Sequence, residues 1–164
     1  MVGTGRYPDL LTMQRCHEVA ETQMVTVALR RIDLTAAKTP QGKSTAIIDY
    51  IDRKKITLLP NTAGVSFAAD ALRYARIAAA MDCTHLKVEV TGDLTTLLPD
   101  PIETLKAVEL MRGHEDTRSL YLMVYTNDDP VLARRLADAG ADCIMPAASP
   151  IGSGRGIANE ANLI

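Results

Sequence analysis

HLKVEVTGD, His85 to Asp93, places a lysine and a glutamate inside an otherwise apolar, β-branched run. Period-2 alternation puts His85, Lys87 and Glu89 on one face of a strand and Leu86, Val88 and Val90 on the other. If the polar face meets solvent, this is an ordinary amphipathic strand. If it meets a closed interior, a lysine is costly to bury there and its presence points to chemistry. How the neighbouring segments repeat decides between the two.

The same unit recurs along the chain: a short β-branched run, a turn rich in Gly, Asn and Asp, then an Ala/Leu-rich stretch at helical spacing. The expected strands are MVTVALR (24–30), ITLLP (56–60), LKVEV (86–90), LYLMVY (120–125) and DCIMP (142–146), and MVGTGRYPD opens the chain like the last residues of another strand entering a turn. The expected helices are FAADALRYARIAAAM (67–81), PIETLKAVELMR (101–112) and DPVLARRLADAG (129–140). Ser66 is placed to cap the first of these, with Asp70 in its first turn. Asp100 followed by Pro101 starts the second, Asp129 with Pro130 repeats the pattern, and Gly140 stops the third. Strands alternating with helices of this length predict right-handed βαβ units, a parallel sheet and helices outside it. Functional residues in such folds gather on the loops leaving the C-terminal ends of the strands. Those loops are PNTAG (60–64), TGDLTTLLPDP (91–101), TNDDP (126–130) and PAASPIGSGRG (146–156).

Composition narrows the function. The chain has 164 residues, 47% hydrophobic and 23% charged, the profile of one globular domain over residues 1–164. Its formal charge of −2 is spread rather than striped, which argues against nucleic acid, and an aromatic content of only 4% with no tryptophan argues against stacking platforms for bases. No apolar run approaches the roughly 18 to 20 residues of a membrane span, and the N-terminus lacks the order of a signal peptide. No membrane association and a cytoplasmic location are the expectation. Cys16, Cys83 and Cys143 stand far apart, without the pairings of metal or redox motifs, and read as reduced, mostly core thiols. No metal and no cofactor is expected.

Two motifs carry candidate chemistry. In PIGSGRG (150–156), glycines let backbone amides converge on an anion, and a helix starting behind them would add its positive end, so Gly152, Ser153 and Gly154 are candidates for holding a phosphate. A plain connecting turn has the same composition. Lys87 and Glu89 form the sharper pair. Desolvation disfavours the charged form of a lysine, and a neutral amine attacks carbonyls. A glutamate two residues on, along the same face, is placed to move protons at a carbon beside the resulting imine. A salt-bridged or edge-strand pair is the plainer alternative. Asp93 reads as a loop-shaping residue, His85 as core or rim packing toward the opposite mouth, His114 as surface, Arg6 as solvated or facing a phosphate, and the arginines of ALRR (28–31) as a solvated rim or as binding an anion or a partner.

Together these segments resemble the bacterial thiazole synthase family, which assembles the thiazole phosphate of thiamine. GTGRYP (3–8), MVTVALRR (24–31), KKITLLPNTAG (54–64), KVEVTGD (87–93), LLPDPIETLKA (97–107), NDDPVLARRLADAG (127–140) and MPAASPIGSGRGI (145–157) occur in the family's order. The resemblance implies a (β/α)8 TIM barrel, of which this α/β chain would form a part, incomplete at both ends, from the end of strand 1 through strand 6 and its following loop. A closed barrel takes about 250 residues. The resemblance also implies a sulfur-transferring enzyme. Lys87 would form an imine with 1-deoxy-D-xylulose 5-phosphate, and Glu89 would act as general acid and base. Sulfur would come from the C-terminal thiocarboxylate of a ubiquitin-like sulfur carrier protein, and dehydroglycine would supply the C–N unit. Gly152 falls at a substrate-binding glycine of the family, with Ser153 and Gly154 beside it, and the family is oligomeric. The pattern departs at Val65, Val88 and Thr91 and by extra residues around GHEDTRS (113–119); the family's second catalytic carboxylate, an aspartate, belongs to later units that this chain does not contain. Two other functions remain open: a non-catalytic module docking a sulfur carrier or sugar phosphate, and a Schiff-base aldolase.

Overall fold

The computed structural model describes residues 1–32 and 46–163. Six short strands pair in the order in which they occur: β1 (Val2–Gly3), β2 (Met24–Ala28), β3 (Thr57–Asn61), β4 (His85–Val88), β5 (Tyr121–Thr126) and β6 (Cys143–Pro146), every pair parallel. A doubly wound sheet reverses its strand order and is covered on both faces. A sheet whose spatial order equals its chain order is wound one way only, and right-handed crossovers then put every helix on the same face. The helices are α1 (Leu10–Val19), α2 (Ala68–Ala80), α3 (Pro101–Gly113) and α4 (Pro130–Asp138). The sheet curls into a half-barrel whose open edges, among the described residues, are β1 and β6. The expected incomplete βα barrel is the observed architecture.

The core lies between the sheet and the helices. Val25, Val27, Leu86, Val88, Leu122 and Val124 alternate along their strands, are at most marginally exposed, and share one apolar cluster with Met13 of α1, Met111 of α3 and Leu136 of α4. Helix α2 contributes Ala68, Ala71, Ala75 and Ala78, a buried stripe at three- and four-residue spacing. Side chains this small let the helix lie close on the sheet. Helix α1 was not expected from the sequence; Asp9 starts it by accepting from Thr12 N at 2.7 Å, and Met13 and His17 dock it. Strand β4 stops at Val88 rather than Val90, because Val90 and Thr91 turn away into isolated bridges with Val65 and Pro99.

The N-terminal proline pattern reads true at both places. Asp100 accepts from Ile102 N and Glu103 N, and Asp129 accepts from Val131 N and Leu132 N. Gly140 follows α4 with φ of +106°, as a stop residue should. Ser66, however, does not cap α2. The helix begins a residue later, behind Phe67, and the Glu103 carboxylate of α3 reaches across to accept from Ala68 N at 2.8 Å. A carboxylate borrowed from the next helix thus caps α2 and ties two βα units together. The cysteines divide: Cys83 is buried, Cys143 half-buried and Cys16 exposed, so the core expectation fails for Cys16, which lies on a helix docked through Met13 and His17. No helix among the described residues is long and apolar enough to cross a membrane.

The Ala68 amide and the Lys106 ammonium together hold the Glu103 carboxyl below the usual carboxylate range. A carboxyl depressed on folding contributes stability above its unfolded value, about 4.3, and that contribution disappears as pH falls through the folded value. Glu103→Gln is expected to lower the melting temperature by about 2–4 °C near neutrality. The difference from wild type should shrink on acidification below about pH 4. Thermal melts from acid to neutral pH check this; a difference independent of pH would exclude a charged cap.

Candidate active site

Parallel pairing fixes which side chains share a face. Ala28 is in register with Asn61, Asn61 with Lys87, Lys87 with Met123 and Met123 with Cys143, so these residues form one row across the helix-free, concave face. Glu89 stands one step above Lys87 and level with Tyr125. The Lys87 Nζ lies 3.6 Å from Glu89 Oε2 and 5.5 Å from the centroid of the Tyr125 ring. Side-chain exposures of 19% for Lys87 and 13% for Glu89, on a strand inside the sheet, exclude an edge-strand pair, while the 3.6 Å contact makes the two the salt-bridged pair of the plainer alternative. The lysine and glutamate of the strand therefore point inward, at the end of the sheet where the functional loops emerge.

Backbone supports hold the pair. Where β3 turns into its loop, Thr62 N still donates to Lys87 O at 3.2 Å, and its hydroxyl then replaces the sheet ladder. Thr62 Oγ1 donates to Glu89 O at 2.7 Å and accepts from Glu89 N at 2.8 Å, with Thr62 fully buried. Next to Lys87, Asn61 Nδ2 donates to Thr26 Oγ1 at 3.0 Å and Thr4 Oγ1 donates to Thr26 O at 3.1 Å, a polar line across β1 to β3. Neither Thr62 nor Asn61 was singled out from the sequence. Only the register shows that PNTAG runs beside KVE.

Tyr125 closes the other side. It is buried, its hydroxyl donates to Leu97 O at 3.4 Å, and burial, followed by the Glu89 charge, pushes the phenol above its ordinary value, so it stays a protonated donor. Leu97 belongs to the loop that Asp93 organises by accepting from Thr95 N, Thr96 N and the Thr96 hydroxyl. The Thr96 hydroxyl is the largest cause holding the Asp93 carboxyl low. Asp93 does shape the loop. His85 packs on the Tyr121 ring at 5.0 Å, toward the opposite end of the strand. His114 lies at the surface, partly covered, beside Asp116. Arg6 is exposed, and the Arg30 guanidinium lies over Gly64, at φ of +95°, where any Cβ would collide with it.

The glycine loop stands apart from the pair. Gly152, Ser153 and Gly154 are exposed on the segment leaving β6, with Gly152, Gly154 and Gly156 all at positive φ. Ser149 Oγ donating to Gly156 O at 2.7 Å and Ala158 N donating to Ala148 O at 2.8 Å pinch its base. The helix expected behind it is a three-residue 3₁₀ turn, Glu160–Asn162, so the loop offers amides without a helix end. Among the described residues no group of three His, Cys, Asp or Glu side chains gathers where a metal ion could sit.

A βα sheet wound one way and curled into a half-barrel, with a lysine and a glutamate paired on its inner face, defines a member of the parallel βα-barrel class. The model of the family described as thiazole biosynthesis protein ThiG matches residues 1–164, and the chain belongs to that family. It is 47% identical over 164 residues to the thiazole synthases of Bacillus mycoides (strain KBAB4) and Bacillus cereus (strain AH187), covering 99% of this chain. It spans 60% of the length of each. Among solved structures it resembles a chain of the Amycolatopsis orientalis BexX/CysO complex, with a TM-score of 0.77 at 26% identity, covering 99% of this chain and 63% of that one.

Removing the buried Thr62 hydroxyl strands the partly buried N–H and C=O of Glu89. Thr62→Val is expected to cost about 1–3 kcal/mol in urea unfolding. Amide exchange should show faster opening at Glu89 than at Leu86, which lies in the regular ladder; uniform acceleration along β4 would rule out a local role.

Proposed function

We propose that this chain carries the imine-forming site of a thiazole synthase that builds the thiazole phosphate of thiamine. The single observation that carries this reading is the Lys87–Glu89 pair, 3.6 Å apart on the concave face of a half-barrel. Lys87 Nζ attacks the ketone carbon of 1-deoxy-D-xylulose 5-phosphate, and the carbonyl oxygen leaves as water. The imine then withdraws electrons from the adjacent carbon and acidifies its C–H bond. Glu89 takes that proton and returns it to the neighbouring position as the imine rearranges. The thiocarboxylate sulfur of a ubiquitin-like sulfur carrier adds to the rearranged ketone carbon, the carrier C–S bond breaks as the displaced oxygen passes to the carrier and leaves it a carboxylate, and the nitrogen of dehydroglycine displaces the Lys87 amine as the ring closes with loss of water. The amides of Gly152, Ser153 and Gly154 take the phosphate. Support comes from the 47% identity to curated thiazole synthases and from the likeness to a chain solved in a two-protein complex, which favours a protein partner. The same reading includes association of copies, as the family resemblance implies.

Borohydride trapping with 1-deoxy-D-xylulose 5-phosphate, followed by peptide mass analysis, tests the reading. The adduct is expected on the Lys87 peptide and absent in Lys87→Ala. Glu89→Gln should still form the imine while losing about 10²-fold in solvent deuterium exchange at the neighbouring carbon. Binding of the sugar phosphate by folded protein without any adduct would favour the docking module instead.

A further inference from the structure

The ring over Lys87 belongs to no part of the chemistry described so far. Tyr125 comes from the neighbouring strand, two residues beyond Met123, the in-register partner of Lys87, and so stands diagonally above the amine. Three features set it apart from a core aromatic. Its ring lies 5.5 Å from the Lys87 ammonium, within the distance at which a cation is attracted to a π face. Its hydroxyl donates to the carbonyl of Leu97, a non-glycine residue at φ of +58° in the loop above the pair. It is only 7% exposed although it sits on the concave face, the side that the helices do not cover.

A lysine side chain has four carbons of freedom, and an imine forms efficiently only when the amine is held toward the incoming carbonyl. Glu89 alone restrains Lys87 from one side, along the same strand. A π face on the next strand restrains it from a second direction. The hydroxyl meanwhile fixes the turn whose amides Asp93 has already folded: Leu97 N donates to Asp93 O at 2.8 Å and Gly92 N to Leu98 O at 2.9 Å. One side chain thus touches both the amine and the wall above it.

We propose that Tyr125 is the positioning residue of this site: its ring holds the Lys87 amine beside Glu89, and its hydroxyl pins the Leu97 turn as the wall against which a carbonyl substrate is seated. The proposal rests on the imine reading of Lys87 for its consequence in catalysis, while the contact with the amine is testable without it.

Tyr125→Leu removes both arms, and Tyr125→Phe removes only the hydroxyl. The first measurement is the concentration dependence of borohydride trapping by 1-deoxy-D-xylulose 5-phosphate. Tyr125→Leu is expected to lower the plateau rate about tenfold or more, the scale on which lost alignment acts. Tyr125→Phe should recover the plateau to within about threefold while raising the half-saturating concentration, because the wall has loosened. The second measurement uses isotopic formaldehyde with borohydride, a carbonyl too small to need the wall, and compares methylation of Lys87 with that of the remaining lysines by peptide mass analysis. An amine released from the ring should be methylated severalfold faster in Tyr125→Leu and at the wild-type rate in Tyr125→Phe. Opposite signs in the two measurements for Tyr125→Leu, with Tyr125→Phe restoring the plateau but not the half-saturating concentration, are the signature of positioning; a tyrosine that only packs the wall would give Tyr125→Phe the wild-type half-saturating concentration. Equal Lys87 methylation in all three proteins overturns the proposal even if no sugar phosphate is ever trapped, and that second result would by itself count against the imine reading.

Discussion

The constraint on which this molecule depends is that its strands lie in the sheet in the order in which the chain makes them. Among the described residues, six parallel strands in that order, joined by right-handed crossovers, put the helices α1 to α4 on one side. Apolar burial is thereby confined to alternate residues of each strand. The other alternates face the inside of the curl, where a polar side chain need not displace a helix. In β4 and its extension, Leu86, Val88 and Val90 are fully buried, while Lys87 and Glu89 keep a small residual exposure. The fold therefore sets aside a face for charged groups at little cost to its core.

Side chains that bridge consecutive βα units keep that face in shape. Glu103 caps the helix of the preceding unit. Thr62 continues the ladder from β3 to β4 past the point where the backbone leaves it. Arg112, at the end of α3, donates to the carbonyls of Gly140, Arg118 and Leu120 and pairs with Asp142, whose carboxylate also accepts from Leu122 N. The segment around GHEDTRS is held by this same arginine, with Thr117 buried and donating to Met111 O. Each bridge uses a polar group to place one unit against the next, which is what a repeating fold needs if the strand ends are to line up as a site.

At the site, the charged pair is held from several sides. Glu89 is fixed through its backbone by Thr62, Lys87 is bounded by Glu89 and by the Tyr125 ring, and the loop above is folded on Asp93. Rigid strands supply the groups, and loops supply the walls. The glycine segment after β6 differs in kind: it is exposed, pinched at its base, and offers backbone donors instead of side chains.

Much of this was legible in the chain alone, because it depends on local rules. Alternation in LKVEV put Lys87 and Glu89 on one face, the Asp-Pro pairs started α3 and α4, and Gly140 marked the end of α4, since strand pleat, capping and positive φ act over a few residues. What tertiary structure alone decided is which groups from distant segments meet. The cap of α2 came from Glu103 rather than Ser66, Thr62 proved to hold Glu89, and Tyr125 came to lie over Lys87. Those contacts are set by strand register and helix packing between units some 27 to 38 residues apart, and no local periodicity carries that information.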